Sequence, residues 1–217
     1  MIKLDILSDP ICPWCYIGKA QLDRALAQVP EHPFTIEWHP FQLNLDMPRE
    51  GMGRAVYLEA KFGGRENAVR VYGQIAKHAA SIGLEADLSA IKRTPNTLDA
   101  HRLIHWAGIE RMQGPVVDAL FRAYFVEGRD IGAHEVLADV ADSAGMDASL
   151  VLKLLNTAED EEAVRSRDAH SRKMGVSSVP TFIVAGQHAV PGAQPTDLWL
   201  KVISEVQSNL DASEQVE

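Results

Sequence analysis

The stretch Asp9-Pro10-Ile11-Cys12-Pro13-Trp14-Cys15 holds both cysteines of this 217-residue chain, three positions apart. It lies between a short apolar run and a segment with helical periodicity, so it marks a strand-to-helix turn. Residues i and i+3 on a first helical turn are neighbours, and a disulfide needs Cα atoms within about 7 Å of each other. The spacing therefore predicts two thiols that can form and break a disulfide together.

The two thiols have different predicted roles because only one of them begins the helix. Free N–H groups and the dipole at a helix N-terminus favour the thiolate, which is the reactive form of cysteine. We therefore predict that Cys12 is the nucleophile and that Cys15 resolves the mixed disulfide. Pro13 suits the first helical position, since its missing N–H would have no partner there. Trp14 adds no positive charge, so we expect the helix end to activate Cys12.

Two other uses of the cysteine pair stay open. A zinc site of four cysteines is excluded because there is no second pair, whereas two cysteines with two of the eight scattered histidines would suffice. His101 and His105 stand at i and i+4, but no third ligand is evident, and we predict no metal site. Two inert structural thiols are the other alternative. The strand–Cys-x-x-Cys–helix context favours redox chemistry over both.

Composition indicates a globular protein and argues against two classes of partner. Apolar residues make up 46% of the chain, charged residues 24%, and the formal net charge is −9. This acidic balance argues against nucleic acid and against an anionic membrane surface. The N-terminus does not have the pattern of a signal peptide, and no apolar run approaches the ~18 residues of a membrane span. We expect a cytoplasmic protein, where a cysteine pair is more often catalytic or redox-sensing than structural.

The patterns around the cysteines alternate between strand and helix. Apolar and polar residues alternate over 2–7, which predicts a strand that ends just before the cysteines. A helical pattern follows to Val29, and residues 34–38 alternate again as a second strand. Because the helix forms the crossover, the two strands are predicted to be parallel, with Cys12 at the carboxyl end of the first.

The rest of the chain predicts a helical block and then a return to strands. Residues 53–174 contain six helical patterns and no segment that predicts a strand. The segment 181–184 and a short return strand over 188–190 predict a β-hairpin, and a last helix follows from Pro195.

This order predicts an α/β protein, namely a thioredoxin fold (βαβ then ββα) with a large all-helical domain inserted in its middle. We expect residues 1–45 and 175–217 to form the thioredoxin-like domain and residues 46–174 to form the inserted helical domain. Four cationic side chains near glycine-rich loops of the insertion are expected to be solvated: Arg49, Arg54, Lys61 and Arg65.

Further motifs accompany Cys12-Pro13-Trp14-Cys15 and together resemble a known family. They are the run Gly175-Val176-Ser177-Ser178-Val179-Pro180-Thr181-Phe182, the turn Gly192-Ala193-Gln194, and the shorter stretches Ser8-Asp9-Pro10, Trp38-His39-Pro40-Phe41 and Pro95-Asn96-Thr97. This combination resembles the DsbA-like thioredoxin superfamily and, within it, the cytoplasmic FrnE-type dithiol–disulfide oxidoreductases and isomerases. The resemblance spans nearly the whole chain.

The resemblance implies a site wider than the two cysteines. It implies a cis peptide bond between Val179 and Pro180 that faces the cysteine pair and leaves the Val179 backbone free to pair with an extended substrate. Pro13 and Trp14 would support the site. By analogy with glutathione-using relatives, a glutathione-like tripeptide is a candidate ligand of five further residues: Gln42, Asn44, Gly192, Ala193 and Gln194.

Two departures from the family pattern bear on the reaction. Periplasmic DsbA members carry a histidine between the cysteines where this chain has Trp14, so one electrostatic contribution to thiolate stability is absent. Glutathione-dependent relatives usually have serine in place of the first cysteine. Both Cys12 and Cys15 are present here, which predicts a dithiol enzyme.

Three polar residues outside the motif pair have two interpretations each. Asp9 directly precedes the motif, and a nearby acid can take the proton of a resolving thiol, whereas a loop or capping role is the alternative. Asp5, which lies in the strand that leads to Cys12, is a second candidate for that acid role, and its alternative is a side chain that faces solvent. The inserted domain should cap the site, which would bring His101 to the cleft, and a packing role is its alternative.

The leading functional hypothesis is a protein dithiol–disulfide oxidoreductase or isomerase. Its partner would be a disulfide- or dithiol-containing protein or peptide, or glutathione, and it would need no cofactor beyond the cysteines. A glutathione-dependent isomerase or transferase acting on a small aromatic substrate is the alternative. A chaperone or redox-sensing adaptor is a third, non-enzymatic hypothesis. The sequence leaves open the direction of the reaction and the choice between monomer and homodimer.

Overall fold

The computed structural model describes the backbone of residues 1–214 and the side chains of residues 1–212. The strands are β1 (Ile2–Ser8), β2 (Phe34–Pro40), β3 (Met52–Gly53), β4 (Arg93–Thr94), β5 (Thr181–Val184) and β6 (His188–Pro191). The helices are α1 (Pro13–Gln28), α2 (Arg54–Phe62), α3 (Arg65–Ser81), α4 (Leu98–Ile109), α5 (Gln113–Phe121), α6 (His134–Ser143), α7 (Ala148–Leu155), α8 (Glu161–Lys173) and α9 (Thr196–Glu214). A π-helical turn over Arg122–Val126 continues α5.

Four strands form a mixed sheet in the order β2-β1-β5-β6. β1 is parallel to β2, as the helical crossover predicts, and antiparallel to β5. β5 and β6 form the predicted hairpin. Ile6 in β1 stands opposite Trp38 on one side and Phe182 on the other, so the apolar face of the sheet is continuous. The predicted thioredoxin fold is confirmed by this topology, and Cys12 follows the carboxyl end of β1.

Helices cover the apolar face of the sheet and share its core. The rings of Phe182 in β5 and Trp199 in α9 meet edge-on, with centroids 4.7 Å apart. The same cluster of buried side chains continues into the helical segment through Leu103, Leu120 and Phe125. The sheet and the helices of the segment 46–174 are therefore held by one apolar core. The domain boundaries at 45/46 and 174/175 stay a prediction, and residues 215–217 of the second part lie outside the described chain.

Two expectations for residues 53–174 were wrong. The short strand β4 lies there and pairs antiparallel with β3, although no strand was predicted in that range. A two-residue strand has no periodicity to detect, and its partner lies about 40 residues away. In the described chain this segment holds seven helices rather than six. The additional helix α2 is separated from α3 by Gly63 and Gly64, whose φ angles of 70° and 128° are ones that favour glycine.

Candidate active site

The cysteines lie at the junction of β1 and α1. Cys12 is the N-cap residue, with extended backbone angles (φ −83°, ψ 114°), and Pro13 is the first helical residue. The Cys12 carbonyl accepts hydrogen bonds from the N–H groups of Cys15 (3.0 Å) and Tyr16 (3.2 Å), which close the first turn. Both side chains are free thiols, 4% and 1% exposed respectively. The helix therefore brings the two thiols together at its positive end.

The Val179–Pro180 segment lies directly against Cys12. The Cys12 thiol donates to the Val179 carbonyl, with an Sγ–O distance of 3.6 Å, and the Val179–Pro180 peptide bond is cis. Pro180 itself is buried against Gly18 in α1, where a methyl group in place of the glycine hydrogen would come within 3.0 Å of the proline ring. The absence of a side chain at Gly18 thus allows Pro180 to approach the helix that carries the cysteines.

The environment of Cys15 differs from that of Cys12. Burial raises the pKa of the Cys15 thiol well above its usual range, and its hydrogen bond to Cys12 and the charge of Cys12 act in the same direction. The Ser8 side chain and the Asp9 backbone oppose that shift with hydrogen bonds. Cys15 is therefore held as a neutral thiol behind Cys12.

Asp9 positions the loop that carries the cysteines. Its side chain is fully buried. Oδ1 accepts from the Ile11 N–H (3.2 Å), and Oδ2 accepts from the Leu43 N–H (2.7 Å) and, at 3.5 Å, from the Thr97 hydroxyl. These bonds join the turn before α1 to the segments after β2 and before α4. No hydrogen bond links the carboxyl group to a sulfur in the described chain, so the loop role fits and the proton-acceptor role does not.

Burial of Asp9 makes stability depend on pH in a defined direction. Burial raises the pKa of its carboxyl group to about 7, against the opposing hydrogen bonds from Leu43 and Ile11. The unfolded value is ~3.9, so between these values the folded state holds a proton that the unfolded state has lost. We expect the contribution of Asp9 to the free energy of unfolding to fall as pH rises from about 4 to about 7. The slope is at most ~1.4 kcal/mol per pH unit, and the contribution stays constant above about pH 7.

Urea unfolding of the wild-type protein and of Asp9→Asn across pH 4.5–8.5 tests this dependence. The difference between the two curves should slope below about pH 7 and become level above it. Asp46→Asn, which changes an exposed aspartate in the loop after β2, should keep the wild-type slope. A difference curve without slope would contradict the raised pKa.

A cleft of about 290 Å³ opens beside Cys12. One wall comes from the start of α1 and from residues 177–179, and the other comes from α2 and α3 of the helical segment. Two cations, Arg54 and Lys61, line it together with tyrosines, and its lining contains no carboxylate. Trp14 stands at the rim, 40% exposed, with its ring 5.5 Å from that of His78.

The expectation that Arg54 is solvated was wrong. It is 7% exposed, and its guanidinium donates to the hydroxyl groups of Thr94 (3.1 Å), Tyr124 (3.1 Å) and Tyr72 (2.6 Å). Lys61 is exposed at the cleft, where it donates to the Tyr57 hydroxyl at 2.6 Å. Arg54, Tyr57 and Lys61 stand at i, i+3 and i+7, so they share one face of α2, and that spacing was the signal that sequence reasoning overlooked.

The five candidate residues for a tripeptide do not line one pocket. Gln42 and Asn44 line a second pocket of about 480 Å³, which adjoins the cleft through Leu43 and Tyr57. Gln42 is 2% exposed, and its side-chain amide donates to Asn96. Asn44 accepts from the Tyr57 hydroxyl at 3.0 Å. The remaining three lie behind the proline: Gly192 donates its N–H to the Pro180 carbonyl (2.8 Å), Ala193 packs near Gly18, and the Gln194 side chain donates to the Pro191 carbonyl (2.6 Å).

His101 does not reach the cleft. It is 2% exposed, and burial lowers its pKa to about 3, so it is a neutral packing residue near neutral pH. His105 lies 3.3 Å from Arg167, measured between Nδ1 and the guanidinium. The two histidines therefore lie in different environments, although they are one helical turn apart.

The expectation that Asp5 faces solvent was also wrong, because it belongs to an ion-pair network on the outer face of the sheet. It accepts from His39 at 2.6 Å and pairs with Lys3 at 2.9 Å. Asp5, Glu37 and His39 place one ligand-type atom each within 4.8 Å of the others. Lys3 and Arg167 pair with Glu37 at 2.8 Å each, so protein cations already neutralise these carboxylates.

A family model described as a DSBA-like thioredoxin domain matches residues 3–204 of the chain. The chain belongs to that family. The predicted resemblance is thereby confirmed at the level of DsbA-like proteins. Within residues 1–214, no helix of this DsbA-like protein combines the length and apolarity needed to span a membrane.

Three similar proteins cover nearly the whole DsbA-like chain. The uncharacterized protein YwbO from Bacillus subtilis (strain 168) is 25% identical over 213 residues, which are 95% of this chain and 98% of YwbO. The probable DsbA oxidoreductase SCO1869 from Streptomyces coelicolor is 28% identical, with a TM-score of 0.85 over 96% of this chain and 91% of its own. The cytosolic disulfide reductase DsbM from Pseudomonas aeruginosa, solved with GSH, is 16% identical and shows the fold alone, with a TM-score of 0.68 over 96% and 99%.

Proposed function

We propose that this DsbA-like protein is a cytoplasmic thiol–disulfide oxidoreductase in which Cys12 attacks the substrate and Cys15 resolves the mixed disulfide. The observation that carries the proposal is the unequal placement of the two thiols. Cys12 caps the helix and opens into the cleft, whereas Cys15 lies behind it with a raised pKa. A nucleophilic cysteine at the mouth and a neutral thiol behind it are what sequential attack requires.

The reaction follows from this placement in two exchanges. The Cys12 thiolate attacks one sulfur of a substrate disulfide, so that a Cys12–substrate disulfide forms and the other substrate sulfur leaves as a thiolate. That thiolate takes the proton of Cys15, which then attacks Cys12 and expels the second substrate thiolate. The substrate gains two electrons and the Cys12–Cys15 pair is oxidised. The reverse sequence oxidises a dithiol, and the redox poise of the surroundings sets the direction.

The remaining parts of the proposal concern the substrate and the recycling of the pair. The Val179 carbonyl lies next to Cys12, where an extended substrate can align its disulfide with the thiolate. Pro13 starts the helix and Trp14 forms the rim of the cleft. We assign the protein to the FrnE-type members, with no cofactor beyond the cysteines, and with glutathione or a thioredoxin as the reductant that recycles them.

A glutathione-dependent isomerase or transferase is the second candidate. DsbM shares this fold and was solved with GSH, which supports glutathione as a candidate ligand of this protein. In this alternative Cys12 or bound glutathione would act on a small aromatic substrate without a redox cycle. The presence of Cys15 and its position behind Cys12 favour the oxidoreductase.

A redox titration separates the two candidates. The protein is equilibrated in graded mixtures of reduced and oxidised glutathione, quenched with acid, alkylated, and its modified thiols are counted by mass. We expect a reversible two-electron transition within the range of cellular glutathione poise, about −220 to −320 mV. Cys15→Ser should show only a Cys12–glutathione adduct. If wild-type thiols stay free or form that adduct alone, the oxidoreductase proposal is wrong and the glutathione-dependent candidate replaces it.

A further inference from the structure

We propose that the cleft beside Cys12 selects low-molecular-weight disulfides that carry a carboxylate, and that Arg54 and Tyr72 form the subsite for that carboxylate. The inference rests on the proposed function in one respect, since it takes Cys12 as the reacting thiol. It adds a substrate class and two binding residues that the cysteine chemistry does not require.

The first observation is a buried cation without an anion. Arg54 is 7% exposed and carries a guanidinium group, yet its hydrogen bonds go to the three hydroxyl groups described above. In the described chain it forms no ion pair with a carboxylate. Three tyrosine rings surround the guanidinium, with centroids at 4.9 Å (Tyr72), 5.8 Å (Tyr57) and 5.9 Å (Tyr124). A buried charge costs free energy when it has no partner of opposite sign. An anionic ligand that pairs with Arg54 would therefore stabilise this cluster.

The second observation concerns the hydroxyl of Tyr72. It accepts the short bond from Arg54, and no described group accepts its own proton, so the O–H remains available to a ligand. Burial raises the pKa of Tyr72, which keeps the phenol neutral and therefore a donor. Tyr72 and Cys12 line the same cleft, and the charge of Cys12 acts on the Tyr72 hydroxyl. One small molecule can therefore reach both groups.

The third observation is the charge of the cleft as a whole. Arg54 and Lys61 line it without any carboxylate, in a protein whose net charge is −9. The buried acid Asp9 behind the cleft is held by backbone N–H groups, and its raised pKa weakens its negative charge near neutral pH. A locally positive cleft in an acidic protein concentrates anions. Its volume of about 290 Å³ lies at the lower end of small-molecule sites, which favours a small disulfide over a folded partner.

The test compares two reagents of nearly the same size on reduced protein. Iodoacetate and iodoacetamide alkylate the same thiolate, so the ratio of their rate constants at Cys12, followed by peptide mass, cancels the thiolate fraction and reports charge selectivity. We expect the ratio of the iodoacetate rate constant to the iodoacetamide rate constant to exceed that of free glutathione by about tenfold. The same ratio should fall by about five-fold or more in Tyr72→Phe and in Lys61→Gln. Arg70→Gln, which removes an exposed cation from the same helix as Tyr72, should keep the wild-type ratio.

Substrates of matched length extend the test to disulfide exchange. 3,3′-Dithiodipropionate, bis(2-hydroxyethyl) disulfide and cystamine differ in end charge, and each is used to oxidise the reduced protein. After division by the rate with free dithiothreitol, the anionic disulfide should react fastest and the cationic one slowest. Tyr72→Phe should slow the anionic disulfide about five-fold more than the neutral one. Arg54→Met is the first variant at the proposed subsite. If it fails to fold, Arg54→Lys replaces it, because lysine keeps the positive charge but lacks the planar set of guanidinium donors.

The outcomes separate this inference from the proposed function. Alkylation needs a thiol and no redox cycle, so the expected reagent preference combined with a failed redox titration would overturn only the oxidoreductase. An alkylation ratio equal to that of free glutathione would overturn the anion subsite and leave the oxidoreductase standing. An equal fall for both reagents in Tyr72→Phe would also overturn it, because Tyr72 would then act on the Cys12 thiolate rather than on a ligand carboxylate.

Discussion

Cys12→Ser is expected to lower the rate of disulfide exchange by about 10³-fold or more, to the level measured without protein. The serine hydroxyl is far less acidic than the thiol and cannot form a disulfide, so no other group replaces the nucleophile. Cys15 offers no substitute, because it is 1% exposed and held as a neutral thiol. The measurement is the reduction of a small disulfide in a glutathione-coupled assay, with folding checked by circular dichroism.

Cys15→Ser is the matched variant for the resolving step. It leaves Cys12 at the helix end next to the Val179 carbonyl, so the first exchange should proceed and the mixed disulfide should accumulate. Mass spectrometry without reductant should show one substrate thiol bound per protein. If Cys12→Ser keeps most of its activity, or if Cys15→Ser turns over without trapping an adduct, the assignment of the two roles is wrong.

Arg102→Met is expected to lower the free energy of unfolding by about 3–5 kcal/mol, the range for breaking a buried charge pair by removing one partner. Arg102 in α4 is fully buried. Its guanidinium pairs with Asp99 at 2.7 Å and donates to backbone carbonyls at the end of α7 and in the connection to α8, namely those of Leu154 (2.8 Å), Thr157 (3.0 Å) and Glu159 (2.8 Å). Methionine has a similar length but no donor, so the Thr157 and Glu159 carbonyls lose their hydrogen bond and Asp99 keeps, within the described chain, only its contact with His134 at 3.2 Å.

Urea denaturation with a single fitted slope measures this effect. Arg165→Met is the matched control, since it removes an exposed arginine of α8 and should change the free energy of unfolding by less than about 0.5 kcal/mol. A loss below about 1 kcal/mol in Arg102→Met would mean that water satisfies the carbonyls and that this arginine does not secure the α7–α8 connection.

Local patterns in the sequence predicted the fold and the reacting atoms. The alternation over 2–7 and the helical spacing after Trp14 indicated a strand, a turn and a helix, and both thiols lie in that turn. Such features depend on residues within a few positions of one another, so periodicity and spacing are sufficient to detect them. The hairpin over 181–190 was found for the same reason, and the motif with Val179 and Pro180 led to the DsbA-like family.

The surroundings of the thiols were decided by the tertiary structure. The partners of Asp9 at Leu43 and Thr97 lie 34 and 88 residues along the chain, and those of Arg54 at Tyr72 and Tyr124 lie 18 and 70 residues away. No local pattern encodes such contacts, so the sequence predicted that Arg54 is solvated. The structure buries it because α2 and α3 pack over Cys12. The same packing put Gln42 and Asn44 in the second pocket and Ala193 next to Gly18. The sequence by itself determined where the two thiols lie in the fold, and the packing of distant segments determined the charge, depth and shape of the cleft beside them.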